Sequence, residues 1–161
     1  MTIKVGDKVP SVNFKKLTAD GLSDISCDDY FKGRKVALFS VPGAFTPTCS
    51  AQHVPSFIAN ADALKAKGVD AIACVSVNDA FVMQAWGENL GTGDAVEMLA
   101  DGNGEFARAT GLTLDGSGFG LGERSTRFSM IVDDGTVSQL NVEGNPSEMT
   151  VSGAEHMLGQ L

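Results

Sequence analysis

Apolar positions along this chain fall either in short continuous runs or at helical spacing. The run from Lys35 to Val41 reads as a buried strand. From about Thr48 to Lys67, residues Val54, Phe57, Ile58, Ala61 and Leu64 recur on one helix face, and Gly68 ends that helix. Val69 to Val77 is apolar on both faces, as a central parallel strand is, and Asn78-Asp79 then caps a helix carrying Phe81, Val82, Ala85, Trp86 and Leu90. Together these make one βαβ unit, with Trp86 and Phe81 at core spacing. After glycines at 91 and 93 come a short strand (96–100), a short helix (104–110) and the glycine-dense loop GLTLDGSGFGLGE, whose glycines read as a flexible turn. Strands at 127–132 and 137–142 flank Asp133-Asp134-Gly135-Thr136, a hairpin signal, and a last helix is predicted over 147–161. The class is α/β.

Composition narrows the setting. With 161 residues, 43% hydrophobic and 20% charged, the chain reads as a single domain over 1–161 with a full core. A net charge of −8 opposes phosphate backbones and anionic lipid surfaces, so neither nucleic acid nor membrane is an expected partner. The opening MTIKVGDKVP holds no apolar leader, and no apolar run nears the roughly 20 residues of a membrane span. Three widely spaced cysteines, Cys27, Cys49 and Cys74, argue against a disulfide framework and for a reducing compartment, the cytoplasm.

Several familiar sites fail on spacing. Gly116 to Gly122 lacks a glycine at the last position of the dinucleotide pattern, and no Gly-Lys pair precedes Ser or Thr as a phosphate loop requires. The segment DGNGE at 101–105 resembles the start of a calcium loop, but Leu112 stands where the closing glutamate belongs. Cys49 and His53 are the one Cys/His pair at one-turn spacing, too few for a closed zinc site. No metal and no prosthetic group are expected.

The segment VPGAFTPTCS, 41–50, carries chemistry. Between a strand and a helix, Cys49 sits where unpaired N–H groups and the helix dipole favour a thiolate; at such positions the usual value near 8.5 falls by about one to several units. Pro47 suits the first helical turn and Pro42 stiffens the exit from the strand. Thr46 is the natural cap, with a hydroxyl in reach of both backbone and sulfur.

PGAFTPTC also matches the P-x-x-x-T-x-x-C signature of peroxiredoxins. Continued by SAQHVPSFI, CVSVNDAFVMQAWGE and RSTRFSMIVDDG, the chain resembles the type II (class V) subgroup over nearly its whole length. The resemblance implies a thioredoxin-like fold, a central mixed β-sheet flanked by helices. It also implies a peroxidase that reduces hydrogen peroxide and alkyl hydroperoxides and is regenerated by glutathione with glutaredoxin, or by thioredoxin. Cys49 falls on the peroxidatic cysteine, Thr46 and Pro42 on the signature threonine and proline, and Arg127 on the active-site arginine. A homodimer is implied as well.

Those assignments make chemical sense. Attack on an O–O bond builds charge on the departing oxygen, which Arg127, the Cys49 N–H and the Thr46 hydroxyl would stabilise, while Pro42 shields the sulfur. The bland alternative for Arg127 is a surface ion pair with Asp133 or Asp134. Arg124, Ser125 and Thr126 have weaker claims, and His53, one turn beyond Cys49, either lends charge or supports the site structurally. No cysteine follows Cys74, which puts an internal disulfide cycle in doubt. Cys74 reads as a core residue about 10 Å down the neighbouring strand, and Cys27 as inert beside Asp28 and Asp29. The competing function is a peroxide-responsive sensor acting through a partner protein; a thiol–disulfide oxidoreductase is disfavoured because residue 46 is Thr where a C-x-x-C pair needs Cys.

Overall fold

The computed structural model describes residues 2–161, so Met1 of the expected domain lies outside the described residues. It opens with a hairpin that the hydrophobic pattern does not announce, β1 (Asn13–Thr18) and β2 (Gly21–Ser26), paired antiparallel. Its polar Lys15, Lys16 and Asp24 break the apolar alternation because the hairpin forms a sheet edge facing water. There follow α1 (Cys27–Tyr30) and β3 (Lys35–Ser40). A helical segment begins at Pro47, widens into a π turn over Cys49–His53, and continues as α2 (Val54–Ala59) and α3 (Ala61–Ala66).

The continuous helix expected over 48–67 is therefore interrupted twice. Within the π turn the Val54 N–H reaches back to the Cys49 carbonyl. Pro55 comes next; it lacks an N–H, and its ring would collide with the carbonyl four residues earlier in a regular helix, so the wider turn relieves it. At Asn60 the side-chain amide turns back to the Ser56 carbonyl at 2.8 Å and the helix breaks.

The remaining elements are β4 (Ala71–Ser76), α4 (Ala80–Leu90), β5 (Glu97–Ala100), α5 (Glu105–Thr110), β6 (Thr113–Asp115), β7 (Glu123–Ser125), β8 (Phe128–Asp133), β9 (Thr136–Val142) and α6 (Ala154–Gly159). Asp79 caps α4 as predicted, accepting the Val82 N–H at 2.8 Å. Asp134 and Gly135 both take positive φ, the conformation a two-residue hairpin demands. The glycine-dense loop is more ordered than a flexible turn. Strands β6 and β7 pair across it, and a Cβ on Gly116 would lie 2.8 Å from the Leu121 Cβ. The last helix is much shorter than the predicted 147–161, because the N–H groups of residues 150–152 are held by the Glu143 carboxylate instead of by helical carbonyls.

Seven strands form one mixed sheet, β2-β1-β5-β4-β3-β8-β9, in which β3, β4 and β5 run parallel. One face packs Phe39, Cys74 and Ile131 against Phe57, Leu64, Trp86 and Met157 from α2, α3, α4 and α6. The other packs Leu38, Val75 and Met130 against Phe31 and Phe106. Every residue of β4 is buried, which accounts for its unbroken apolar run. This is the thioredoxin-like arrangement expected, and Cys49 lies just past the carboxyl end of β3, beside its parallel neighbour.

Candidate active site

Cys49 is fully buried beneath the turn that leaves β3. Two donors converge on its sulfur: the Thr46 hydroxyl at 2.7 Å and Nη2 of Arg127 at 3.0 Å. The same hydroxyl lies 2.7 Å from the Gly43 carbonyl. A hydroxyl has one proton, so an anionic sulfur and that carbonyl compete for it. Thr46 is thus not the helix cap expected from sequence: its side chain serves the sulfur and the turn, and no side chain caps this helix start.

Arg127, directly before β8, is 2% exposed and makes no ion pair with Asp133 or Asp134. Asp134 instead accepts the Gly33 N–H at 2.7 Å. The guanidinium is fixed at three corners: Nε donates to the Pro146 carbonyl at 2.8 Å, Nη1 to His53 Nδ1 at 2.8 Å, and Nη2 to Cys49. Because an arginine can only donate, His53 Nδ1 must accept, and Nε2 carries the proton that it donates to the Ser152 carbonyl at 2.9 Å. Burial against Phe39, and then the Arg127 charge, push the imidazole down to about 3. His53 is therefore neutral and lends no charge to the sulfur; it orients the arginine.

The turn above the sulfur is pinned from both sides. Asn78 Oδ1 accepts the Ala44 N–H at 3.0 Å and the Ser76 hydroxyl at 2.6 Å, tying the turn to the end of β4. Arg124 bonds the carbonyls of Leu121 (2.9 Å) and Pro42 (3.3 Å), so it braces Pro42 and does not reach the sulfur. Pro42 is buried. Ser125 bonds Ser40 at 2.6 Å below the site. Trp86 is buried as expected, with its indole N–H on Ser50 at 2.9 Å. Phe81 is not core: at the exposed start of α4 it is 61% exposed.

The other thiols are held neutral. Burial, and next the Asp28 charge, push Cys27 up to about 12, so burial outranks the acidic neighbours in keeping it inert. Burial pushes Cys74 well above the usual thiol range. All three cysteines are unpaired, and among the described residues no three metal-ligating side chains come together. Sequence reasoning missed Glu143, Ser152 and the Pro146 carbonyl. The one signal of this outer layer in the sequence is the one-turn spacing of Cys49 and His53.

A buried sulfur facing a neutral-histidine-buttressed arginine on a thioredoxin-like sheet is an arrangement suited to thiol-based redox chemistry. Residues 4–158 match the Redoxin family. The chain is 54% identical to peroxiredoxin-2E-2, chloroplastic, of Oryza sativa subsp. japonica, covering 99% of this chain and 73% of that protein. It is 49% identical to peroxiredoxin-2D of Arabidopsis thaliana over 99% of this chain and 98% of that one. Among solved structures, reduced Prx3 in complex with hydrogen peroxide from Vibrio vulnificus superposes with a TM-score of 0.94 at 50% identity, covering 99% of both chains. The chain belongs to the peroxiredoxin family, in its type II subgroup, and is a thiol peroxidase.

Proposed function

We propose that Cys49 is the peroxidatic cysteine and that hydrogen peroxide and alkyl hydroperoxides are its substrates. The observation that carries this is the convergence of Thr46 and Arg127 on one buried sulfur. The thiolate attacks one peroxide oxygen, the O–O bond breaks, and the departing oxygen leaves as water or an alcohol after taking a proton. The sulfur is oxidised to sulfenic acid and the peroxide reduced by two electrons. Arg127 meets the charge that develops on the departing oxygen, and Thr46 can hand its single proton from the Gly43 carbonyl to the reacting group. Pro42, braced by Arg124, keeps water and a second peroxide from the sulfenic acid.

An external thiol, glutathione with glutaredoxin or else thioredoxin, restores the enzyme, since Cys27 and Cys74 are buried and protonated. Three unpaired thiols favour a reducing compartment, and we assign the cytoplasm. The unit acts over residues 1–161 and pairs as a homodimer. Exposed Phe45 (52%), Phe81 and Phe119 (88%) supply apolar surface for a second copy. Peroxide consumption with an excess of substrate and a recycling thiol tests the reading. Cys49→Ser should abolish turnover and Cys27→Ser leave it near wild type; turnover limited to one equivalent in the wild type would instead favour the sensor.

A further inference from the structure

Glu143 sits just past the end of β9, 5% exposed, and its carboxylate is saturated with donors from a single short segment. Oε2 accepts the backbone N–H groups of Thr150 (3.0 Å), Val151 (2.9 Å) and Ser152 (2.7 Å) and the Ser152 hydroxyl (2.6 Å). Oε1 accepts the Thr150 N–H (3.0 Å) and hydroxyl (2.8 Å). Among the described residues no other side chain is so heavily committed to one loop. Burial pushes this carboxyl up, but the bonds from Ser152 and Thr150 outweigh it and hold it down at about 2.

The residue so anchored is the one whose carbonyl receives the His53 proton. The contacts run in one line: Glu143 fixes Ser152, Ser152 fixes the His53 tautomer, His53 Nδ1 takes one Arg127 N–H, and a second Arg127 N–H points at Cys49. Glu143 also meets the arginine through the backbone, donating its own N–H to the Arg127 carbonyl at 3.0 Å. We propose that Glu143 is a positioning residue for peroxide reduction, acting through Ser152 and His53 to aim the Arg127 guanidinium at the Cys49 sulfur. Its hydrogen bonds go to Thr150, Val151, Ser152 and the Arg127 backbone, and none goes to the sulfur.

The physical case rests on what the line excludes. With Ser152 displaced, His53 loses the acceptor that holds the proton on Nε2, and a proton on Nδ1 would confront an Arg127 N–H donor to donor. The guanidinium would then turn away from a buried neighbour it cannot bond, taking its Nη2 contact with it. Orientation errors of this size matter because donors stabilise developing charge only when preorganised. A carboxylate suits the anchoring role better than an amide. Every partner of Glu143 is a donor, and the NH2 of a glutamine would face an N–H or hydroxyl whichever way it turned.

This inference rests on Cys49 as the oxidised residue, and the two fail separately: Cys49→Ser tests that reading, Glu143→Gln this one. The test is stopped-flow oxidation of the full-length protein by hydrogen peroxide, with the imidazole nitrogens of His53 followed by ¹⁵N NMR. Glu143→Gln should slow oxidation about tenfold while the protein stays folded, and the Nε2–H signature of His53 should give way to mixed tautomers. In an Arg127→Gln background the same change should alter the rate less than twofold, because the residue acts only through that arginine. Should Glu143→Gln fail to fold, Ser152→Ala removes one of the four donors on Oε2 and should slow oxidation about two- to fivefold with the same change at His53. A folded Glu143→Gln protein oxidised within twofold of wild type would overturn the proposal. So would a slowed one whose His53 signature is unchanged, or one equally slowed without Arg127.

Discussion

At the scale of single residues the site is a contest for protons and donors. Arg127 and Thr46 are the two groups bonded to the Cys49 sulfur, and in the proposed reaction each would lower a different part of the barrier. Losing one donor aimed at developing charge costs about a hundredfold to a thousandfold in rate. Arg127→Gln and Thr46→Val should each fall in that range in stopped-flow oxidation of Cys49. A change under threefold for Arg127→Gln would break the assignment, and Arg124, on Pro42 and Leu121, is not placed to compensate. His53 yields a stability prediction with a definite sign. Its folded value, about 3, lies below the ordinary value of 6.5, so between those limits the unfolded chain binds a proton that the folded one refuses. The stability this group contributes is full above pH 6.5 and is lost as pH falls toward 3, with a slope of up to about 1.4 kcal/mol per pH unit. The carboxyl of Glu143 adds acid sensitivity chiefly below its ordinary value of 4.5, so the window from pH 6.5 to 4.5 separates the contribution of the histidine from that of Glu143. Urea unfolding of His53→Gln should show a flatter profile there than wild type.

At the scale of elements, placing the sulfur depends on segments that local pattern describes unevenly. The turn 41–46 is not held by its own prolines alone. Asn78, at the junction of β4 and α4, accepts both the Ala44 N–H and the Ser76 hydroxyl, so the βαβ unit clamps the active-site turn from its neighbouring strand. Asn78→Ala leaves a buried serine hydroxyl and a turn N–H without their acceptor. It should cost about 1–3 kcal/mol in unfolding free energy and slow Cys49 oxidation about tenfold, read by denaturant titration and stopped flow. Strands β3, β4, β5, β8 and β9 and helices α4 and α5 were legible because their apolar residues follow a buried strand or a helix face, whereas β6 and β7 lay hidden in a glycine-dense loop. The hairpin β1–β2 was not legible, since an edge facing water carries Lys15, Lys16 and Asp24. The same limit applies to the site. Cys49, Thr46, Pro42 and Arg127 stood out through motif and spacing; the structure brings Thr46 and Arg127 onto the Cys49 sulfur, while Pro42 is buried and its carbonyl is bonded by Arg124. Glu143 and Ser152 did not: their partners lie across a loop, and a carboxylate gathering backbone N–H groups leaves no periodic trace. The helix expected over 147–153 failed for that reason, because helical spacing cannot register a distant side chain taking its first donors.

At the scale of the whole molecule, the mixed sheet decides how the oxidised sulfur can be resolved. Cys49 and Cys74 belong to the same apolar layer, on the face covered by α2, α3, α4 and α6, so proximity alone does not exclude a bridge between them. Their surroundings do. Cys74 stands in the interior of β4, paired with Phe39 of β3, and burial pushes its thiol well above the usual range, which leaves it a slow nucleophile at neutral pH. A disulfide requires Cα atoms within about 7 Å and a defined torsion, and β4 cannot bend toward the helix without losing its pairing to both β3 and β5. The movement would have to come from the other side, by unwinding the π turn at Cys49–His53 and releasing Arg127 from both Cys49 and His53. Cys27 is no alternative, since it lies in the layer on the opposite face of the sheet. The oxidised enzyme should therefore wait as a sulfenic acid for an outside thiol. Intact-mass analysis after one equivalent of peroxide, without small thiols and with a sulfenic-acid trap, should find the adduct on Cys49 and unmodified thiols at Cys27 and Cys74. Cys74→Ser should turn over at the wild-type rate with glutathione and glutaredoxin or with thioredoxin. A Cys49–Cys74 disulfide within one chain, formed as fast as the enzyme turns over, would show instead that the π turn unwinds in every catalytic cycle.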